Sequence, residues 1–393
     1  MKQDVIYLDN NATTAVDPRV RDVMLPFLTE LYGNPSSIHT FGGQVKKYID
    51  RARGQVAHLI GADPSEIIFT SCGTESDNTA ILSALESKPR RRKVVTTRVE
   101  HPAVLGMAKT LQQRGYHVEY CPVNKHGQLC MDALVKMVTD DTAVVSVMWA
   151  NNEIGNIYPV FEVAEIARQN GALFHTDAVQ AVGKIPINLA KANVDFLSLS
   201  GHKLHGPKGV GALYVRKDVP FHPFMIGGHQ EFGKRAGTEN VASIVAFGRA
   251  AELAAETMAE ERTRVARLRD RMEQGILKRL PQQAVVNGNP QNRLPNTSNI
   301  SFKYVEGESI LLHLNRFGIA ASSGSACTSG SLEPSHVLRA LGIPEITLHG
   351  SIRFSLSRYN TEEDIDFLLD KLPDIIHELR AISPYGRGEI AAS

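Results

Sequence analysis

Short apolar runs alternate with helix-like stretches along the first 215 residues, and this alternation limits the possible folds more than any other feature. The candidate strands are residues 67–70, 93–97, 117–121, 143–149, 172–176, 195–200 and 211–215. The candidate helices between them are residues 73–87, 102–114, 131–138 and 160–170. Several of the strands are apolar at consecutive positions, which is typical of strands covered on both faces. The order of elements therefore predicts an α/β fold with a mainly parallel sheet.

The second part of the chain has a different pattern. From about Val241 to Leu280, apolar residues recur at spacings of three and four, as on one long, half-exposed helix. Residues 281–295 are predicted to be irregular, with a turn at Asn287 and Gly288. A smaller α+β region follows. Its candidate elements are strands near 298–302 and 351–355 and helices near 308–317, 335–341 and 362–379.

Composition and charge exclude several classes of protein. The 393 residues include 43 Lys and Arg against 42 Asp and Glu, which gives a net charge of +1. This balance does not favour nucleic-acid binding, which usually requires a basic excess. The four cysteines form no CxxC pair, which speaks against a zinc site of the usual spacing and against a disulfide scaffold. We find no signal peptide and no apolar run long enough for a membrane span, so we expect a cytoplasmic protein.

Polar residues that follow the predicted strands are the first candidates for chemistry, because ligands bind beyond the carboxyl ends of parallel strands. Lys203 follows the apolar strand that ends at Ser200. Partial burial there would lower the pKa of its amine and make it a nucleophile suited to a Schiff base. A surface lysine is the alternative, but the glycine-rich run from Gly206 to Gly211 favours a fixed, tight connection at this point.

Two further strand ends offer a cation partner and an anion site. Asp177 suits the protonated ring nitrogen of pyridoxal phosphate, although it is equally well explained as a helix N-cap. Gly73 and Thr74 start a predicted helix and would present backbone N–H groups to a phosphate. Thr74 is alternatively a capping residue with Asp77. No GxGxxG or GxxxxGK motif supports a nucleotide site.

Four other residues are candidates with less support from their neighbours. His101 and Asn152 follow strand patterns, and a lone histidine counts only in combination. Arg353 lies within an apolar strand, where either a substrate carboxylate or a structural ion pair explains it. Cys327 lies in a small, polar run with no core-forming residues, so it is a nucleophile candidate by position.

Taken together in this order, the motifs resemble those of the cysteine desulfurases. The motifs are LDNNATT, SCGTESDN, VEHPA, HTDAVQ, SGHK, SSGSACTSGSLEPSHVLRALG and IRFSLSRYNTEEDID, which span nearly the whole chain. The resemblance implies the aspartate aminotransferase-like fold (fold type I) of pyridoxal-phosphate enzymes. This fold has a mainly parallel, seven-stranded sheet and a smaller α+β domain. The implied large domain is 15–258, and the small domain combines 1–14 with 259–393 and carries a mobile Cys loop at about 321–333.

The resemblance also implies a role for each motif residue. Lys203 would hold pyridoxal phosphate, Asp177 would pair with its ring nitrogen, and Gln180 would bond its ring hydroxyl. His101 would stack on the ring and shuttle protons. The phosphate ligands would be Gly73, Thr74, Ser200, His202 and, toward the cofactor of the neighbouring subunit, Thr238. Substrate would be oriented by Asn34, Asn152 and Arg353, with Asn152 also next to the cofactor.

The implied reaction removes sulfur from L-cysteine, leaving L-alanine and a persulfide on Cys327. The implied partners are a second copy of the chain, with composite active sites, and an iron–sulfur scaffold protein of the NifU/IscU type as sulfur acceptor. Cys327 would also be a transient ligand of an iron–sulfur cluster shared with that scaffold. The motifs SCGTES and ACTSGSLEPSHV are closer to the nitrogenase-maturation form, NifS, than to the housekeeping form, IscS.

Other functions stay open on the sequence alone. A housekeeping desulfurase for iron–sulfur clusters or tRNA thiolation, a selenocysteine lyase and an aminotransferase would share the fold. An aminotransferase would use Lys203 and Asp177 but would not need Cys327. An iron-binding scaffold is a different class, and the scattered cysteines speak against it.

Overall fold

The computed structural model describes residues 5–323 and 334–383, so Cys327 lies outside the described residues. The strands are β1 (Ile6–Tyr7), β2 (Ile67–Thr70), β3 (Lys93–Thr97), β4 (His117–Cys121), β5 (Thr142–Ser146), β6 (Leu173–Asp177), β7 (Phe196–Ser200), β8 (Gly211–Val215), β9 (Ala284–Asn287), β10 (Thr297–Phe302), β11 (Ile319–Ala320) and β12 (Ser351–Ser355). The helices are α1 (Pro18–Met24), α2 (Pro26–Thr29), α3 (Thr40–Gly43), α4 (Lys46–Ile60), α5 (Gly73–Ser87), α6 (Pro102–Gln113), α7 (Met131–Met137), α8 (Val160–Gln169), α9 (Val241–Glu260), α10 (Ala266–Arg279), α11 (Gly307–Arg316), α12 (His336–Ala340), α13 (Glu345–Leu348) and α14 (Glu362–Ile382). None of these helices combines the length and apolar character needed to cross a membrane.

The central sheet has seven strands in the order β2-β8-β7-β6-β5-β3-β4. Pairs from β4 to β7 are parallel, and β8 runs antiparallel to both of its neighbours. The predicted α/β class with a mainly parallel sheet is therefore confirmed. Apolar side chains on one face pack against α4, α8 and α9, and those on the other face pack against α5 and α6. Coverage on both faces explains why these strands are apolar at consecutive positions.

A second apolar core forms around α10, α11 and α14 and the small sheet β12-β10-β9. Leu8 from the start of the chain belongs to this core, because β1 pairs with β11. The helical run predicted from Val241 to Leu280 is present as α9 and α10, joined by a π-helical turn at Glu261–Val265. The domain boundaries given above remain a prediction.

Two sequence predictions about this architecture are wrong. Residues 284–287, predicted as irregular, form β9, which pairs antiparallel with β10. The four residues of β9 give almost no periodic signal, and the strand is stabilised by pairing with β10, ten residues or more along the chain. The predicted strand 143–149 ends at Ser146. The N–H groups of residues 147 and 149 still bond to β6, at His175 and Asp177, but the Trp149 carbonyl accepts from Tyr158 instead of continuing the sheet.

A buried ion pair fixes the loop between β8 and α9. Arg53 on α4 lies 2.7 Å from the carboxylate of Glu231 and also donates to the Ile67 carbonyl. Glu231 accepts a further hydrogen bond from the Phe69 backbone N–H. Glu231 and Phe232 have φ values of 46° and 59°, a conformation that non-glycine residues rarely adopt. The ion pair therefore holds a strained backbone segment in place.

Arg53→Met should destabilise the protein strongly, because it leaves the Glu231 carboxylate buried without its partner. We expect a loss of about 3–5 kcal/mol in the free energy of unfolding, measured by denaturant titration. Arg21→Met is the control, since its ion pair with Asp22 is exposed and contributes at most about 1 kcal/mol. Equal effects of the two substitutions would contradict a special role for the buried pair.

Candidate active site

A cavity of about 340 Å³ lies where β6 and β7 end and α5 begins. Ten of the predicted site residues line it: Gly73, Thr74, His101, Asn152, Asp177, Gln180, Ser200, His202, Lys203 and Arg353. Carboxyl ends of parallel neighbours meet at one edge of a sheet, which is why residues so far apart in sequence converge here. The volume lies within the range of pockets for small ligands.

Lys203 ends a short 3-10 turn, Gly201–Lys203, that directly follows β7. Its Nζ donates to the Ala12 carbonyl at 2.7 Å and to the Asn11 carbonyl. Both acceptors belong to the segment that follows β1, so the amine is held at the cavity by the start of the chain. The structure thereby excludes a solvated surface lysine at this position.

Asp177 is the last residue of β6, and its carboxylate is buried in the cavity wall. Burial raises the pKa of Asp177 to about 6, and the nearby carboxylate of Asp77 contributes to this shift. Oδ1 accepts a hydrogen bond from the Val179 N–H at 2.9 Å, so a capping-type contact is also present. The raised pKa shows that the protein's own hydrogen bonds and charges do not offset the cost of burying this carboxylate. Such a carboxylate favours a cationic group on the ligand.

Asp77 and His175 form a second layer behind Asp177, and sequence reasoning gave them no active-site role. Ligand atoms of Asp77, His101 and Asp177 lie within 4.8 Å of one another. His175 Nε2 lies 3.4 Å from Asp77 Oδ1 and 3.0 Å from Ser198 Oγ. Burial lowers the pKa of His175 to about 4, so the ring is neutral at pH 7. His175 and Asp177 lie two residues apart on one strand, so their side chains are on the same face of the sheet. This spacing could have indicated from the sequence that His175 lies near Asp177.

The start of α5 lies in the cavity wall and is suited to an anion. Its N-cap residue, Cys72, provides no side-chain hydrogen bond, so the first backbone N–H groups of this 15-residue helix are not capped by that side chain, and Gly73 and Thr74 line the cavity. A Cβ added at Gly73 would lie 2.8 Å from Val179 Cγ2, which restricts this position to glycine. Ser200 Oγ is buried and has no hydrogen-bond partner within residues 5–323 and 334–383. The alternative reading of Thr74 as the cap is wrong, because Cys72 holds that position.

His202 and His101 complete the polar lining near this site. His202 Nδ1 lies 3.1 Å from Thr13 Oγ1. Burial lowers the pKa of His202 to about 4, so it acts as a neutral hydrogen-bonding group. His101 is the N-cap of α6, and its Nδ1 accepts from the Ala103 N–H at 3.2 Å. That bond orients the imidazole ring at the edge of the cavity.

Arg353 forms the structural ion pair that the sequence left open, and its role toward a substrate carboxylate remains a prediction. Its side chain is only 2% exposed, and Nη2 lies 2.7 Å from Asp9 Oδ1. Nη1 donates to the Asn152 carbonyl at 3.2 Å, while the residue also lines the cavity. The ion pair thus orients a guanidinium that faces the ligand space.

Two predicted site residues lie elsewhere in the single chain. Asn34 is exposed, and its Oδ1 accepts from the Ser36 N–H at 2.9 Å. Thr238 is also exposed and lies outside the cavity lining. Their roles remain predictions, as does that of Cys327, which lies outside the described residues.

Asn11 is a site residue that the sequence analysis quoted only within LDNNATT. Its carbonyl accepts from Lys203 and from Gln180 Nε2, the latter at 2.9 Å. Its side-chain amide donates to Thr297 Oγ1 at 2.8 Å and to the Asn152 carbonyl at 3.1 Å. The only sign of Asn11 in the sequence is a pair of adjacent asparagines, Asn10 and Asn11, after a short strand. The sequence could not show its role, because its hydrogen-bond partners are more than a hundred residues away.

A larger cavity of about 620 Å³ lies against α14. Its lining includes Tyr304, Glu306, His349 and Leu379. Size alone would favour this cavity as the ligand site. The smaller one is the better candidate, because a lysine amine, two buried carboxylates and an anion site converge there.

Comparisons with known proteins agree with this site. The family model described as aminotransferase class-V matches residues 6–368. A cysteine desulfurase of Trichormus azollae is 59% identical over 388 residues, which cover 98% of this chain and 96% of that protein. The cysteine desulfurase NifS of Azotobacter vinelandii is 58% identical over 384 residues, with 98% and 95% covered. Among solved structures, a NifS-like protein superposes with a TM-score of 0.90 at 42% identity, covering 95% of this chain and all of the other.

The chain belongs to the class-V aminotransferase family, whose members are pyridoxal-phosphate-dependent enzymes of fold type I. Within that family it is a cysteine desulfurase of the NifS type. The resemblance drawn from the motifs is therefore confirmed.

Proposed function

We propose that this enzyme binds pyridoxal phosphate in the 340 Å³ cavity and converts L-cysteine to L-alanine, with Cys327 receiving the sulfur. The observation that carries the proposal is the convergence of Lys203, Asp177 and the start of α5 on one cavity. The sulfur would serve iron–sulfur cluster assembly, and the NifS-type relatives support a role in nitrogenase maturation.

The residues present fit pyridoxal phosphate. The Ser200 hydroxyl, which has no partner in the described part of the chain, and the uncapped start of α5 suit its phosphate, together with Gly73, Thr74 and His202. The buried carboxylate of Asp177 suits a cationic ring nitrogen. We interpret the group Asp77, His101 and Asp177 as part of this cofactor site rather than as a metal site.

When bound, the cofactor would supply an electron sink for the carbanion at Cα of cysteine. Lys203 Nζ would hold the cofactor and would move the Cα proton. Arg353 would bind the substrate carboxylate, and Asn152 and Asn34 would orient the substrate. His101 would lie against the ring. Sulfur transfer breaks the Cβ–S bond of cysteine and forms an S–S bond with the Cys327 thiolate. The electron pair of the broken bond stays on Cβ, and one proton takes the place of the sulfur there to give the alanine methyl.

Chain segments on both sides of Cys327 are attached beside the cavity. On one side, Ser322 exchanges backbone hydrogen bonds with Arg353. On the other, Ser335 Oγ donates to the Glu153 carboxylate, and His336 Nε2 lies 2.9 Å from the Glu100 carbonyl. Cys327 is four residues from Ser323, and four residues of extended chain span roughly 14 Å. These attachments support Cys327 as the residue that meets the substrate sulfur.

The partners follow from the same proposal. Family members are dimeric, and we propose a homodimer in which Thr238 reaches the cofactor phosphate of the other subunit. The sulfur acceptor would be an iron–sulfur scaffold protein of the NifU/IscU type, and Cys327 would share a transient cluster with it. We place the enzyme in the cytoplasm and propose neither a nucleic-acid nor a membrane partner.

Mass spectrometry after incubation with L-cysteine tests the function directly. We expect one added sulfur atom on Cys327 and release of L-alanine in equal amount. An aminotransferase would instead convert the cofactor to its pyridoxamine form without adding sulfur to the protein. That result would overturn the proposal.

Asp177→Asn should reduce kcat by a factor on the order of 10² or more, because the ring nitrogen would lose the carboxylate that keeps it protonated. Asp195→Asn is the matched control. Asp195 is also buried, but it precedes β7 at the opposite edge of the sheet, where it pairs with Arg216. We expect it to lower thermal stability while kcat stays within about 3-fold. Similar kinetic losses in both variants would show that Asp177 has no special role.

A further inference from the structure

Lys184 is a buried lysine that the proposed reaction does not use. It follows Gln180 by four residues, and it is 7% exposed. Its Nζ donates to Gln180 Oε1 at 2.9 Å and lies 3.5 Å from Asn11 Oδ1. A buried ammonium is rarely retained without a function or a strong partner. Its nearest partners are thus two residues of the candidate active site.

The Gln180 amide is oriented from both ends. Nε2 donates to the Asn11 carbonyl at 2.9 Å, and Oε1 accepts from Lys184. The ammonium form of Lys184 is a donor only, so in that form it holds the oxygen of the amide toward itself. One N–H of Nε2 then remains for the cavity that Gln180 lines. Lys184 and the Asn11 carbonyl therefore together decide which end of the amide the ligand meets.

The same contacts reach the nucleophilic amine. The Asn11 carbonyl that accepts from Gln180 also accepts from Lys203 Nζ. Lys184, Gln180, Asn11 and Lys203 thus form one continuous hydrogen-bonded network. Such networks transmit a change at one member to the others.

Glu261 provides a negative charge near Lys184. It lies on the π-helical turn between α9 and α10, and both residues line a cavity of about 20 Å³, the size of a single water molecule. Burial and, to a smaller extent, the charge of Lys203 lower the pKa of Lys184 to about 7, against the opposing effect of the Glu261 carboxylate. π-Helical turns are frequently found at functional sites. The turn therefore places a negative charge near the buried amine of Lys184, where it favours the ammonium form.

We propose that Lys184 is a positioning residue that fixes the Gln180 amide with its N–H toward the cavity, where it meets the ring hydroxyl oxygen of the cofactor. This inference rests on the proposed function. Without Lys184, the amide can turn and present its oxygen to that electron-rich oxygen. The hydrogen bond would then be replaced by a repulsion.

Holoenzyme of Lys184→Met tests the proposal, because methionine has similar length but no N–H donor. We expect kcat to fall about 10-fold, as for loss of one charge-assisted hydrogen bond, and the absorbance of bound cofactor to titrate at a different pH. Lys184→Gln keeps a donor without the charge and should remain within about 3-fold of wild type. Lys208→Met, at an exposed lysine on the turn after Lys203, is the control for charge alone.

A double-mutant cycle with Gln180→Ala identifies the route of the effect. If Lys184 acts through Gln180, adding Lys184→Met to Gln180→Ala should change kcat by less than about 2-fold, since coupled residues are not additive. Additive losses, or equal losses in Lys184→Met and Lys184→Gln, would overturn the proposal. Thermal denaturation checks folding. Lys184→Ala, which leaves room for water beside the existing small cavity, replaces Lys184→Met if that variant does not fold.

The outcome separates this inference from the proposed function. If wild-type protein neither binds pyridoxal phosphate nor forms alanine, the proposed function fails. If wild-type protein does both and the cycle is additive, only the role of Lys184 fails.

Discussion

Cys327→Ala should yield a folded, yellow protein that binds cysteine but does not turn it over. Lys203, Asp177 and Arg353 remain in place, so addition of cysteine should still change the cofactor spectrum. Cys327 is the proposed sulfur acceptor, so without its thiolate we expect kcat for alanine formation to fall by a factor on the order of 10³ or more. Alanine release and the absorbance change, measured in the same sample, separate binding from turnover.

The other three cysteines provide matched controls for Cys327. Cys121 is buried, and its Sγ lies 3.6 Å from the Cys130 carbonyl, as expected of a structural residue. Burial raises the pKa of the Cys121 thiol to about 12, so it is protonated and unreactive at neutral pH. Alanine at Cys121 or Cys130 should leave substantial activity. Cys72 lines the cavity next to the anion site, so its replacement should cost more.

The assignment of Cys327 depends on two measurements. Near wild-type alanine formation by Cys327→Ala would contradict it. A persulfide that maps to another cysteine, in wild-type protein after incubation with cysteine, would contradict it independently.

Lys203→Ala should abolish turnover and covalent retention of the cofactor. Its amine is held at the cavity by two backbone carbonyls, and no other lysine lines that cavity in the described part of the chain. We expect a loss in kcat on the order of 10³ or more, since the same group holds the cofactor and moves the proton. The measurement is borohydride reduction of the holoenzyme followed by peptide mapping, with cysteine turnover in parallel.

Lys184 and Lys208 are the lysines to compare with Lys203. Lys184 is the competing buried amine, with a pKa lowered by burial to about 7, but it lines the small cavity of about 20 Å³. Lys208 is exposed on the turn that follows, and its replacement by alanine should leave labelling and turnover unchanged. Reduction that labels Lys184, or undiminished labelling in Lys203→Ala, would show that the amine was assigned wrongly.

Much of the central sheet could be predicted because local pattern and final environment agree. Residues 67–70, 93–97, 117–121 and 211–215 were expected as strands and form β2, β3, β4 and β8 with those limits. β2, β3 and β8 are buried at every position, so their β-branched and apolar residues mark them as strands whichever neighbours they pair with. β4 is an edge strand with an exposed His117, but its alternating Val118 and Tyr120 still give a strand pattern. Strand β9 was missed for the opposite reason. Its four residues have an exposed Val285 and owe their conformation to pairing with β10.

The same distinction between local pattern and distant partners applies to the candidate site. Lys203, Asp177 and Gly73 were found because each follows a strand pattern, and the position after a strand predicts the edge of the sheet where it lies. Asn11, Lys184 and the layer of Asp77 behind Asp177 were not found. Their importance comes from contacts between segments distant in sequence, such as the Asn11 carbonyl between Gln180 and Lys203.

The sequence alone determined the α/β class, the motif order that identifies the family, and the side chains able to do the chemistry. These depend on local periodicity and on residue type, which can be read along the chain. Only the tertiary structure decided which of those side chains share a cavity, which carboxylates are buried, and how the Gln180 amide is oriented. Burial and hydrogen-bond partners depend on chain segments brought together by folding, and the pKa values of Asp177, His175 and Lys184 follow from that environment.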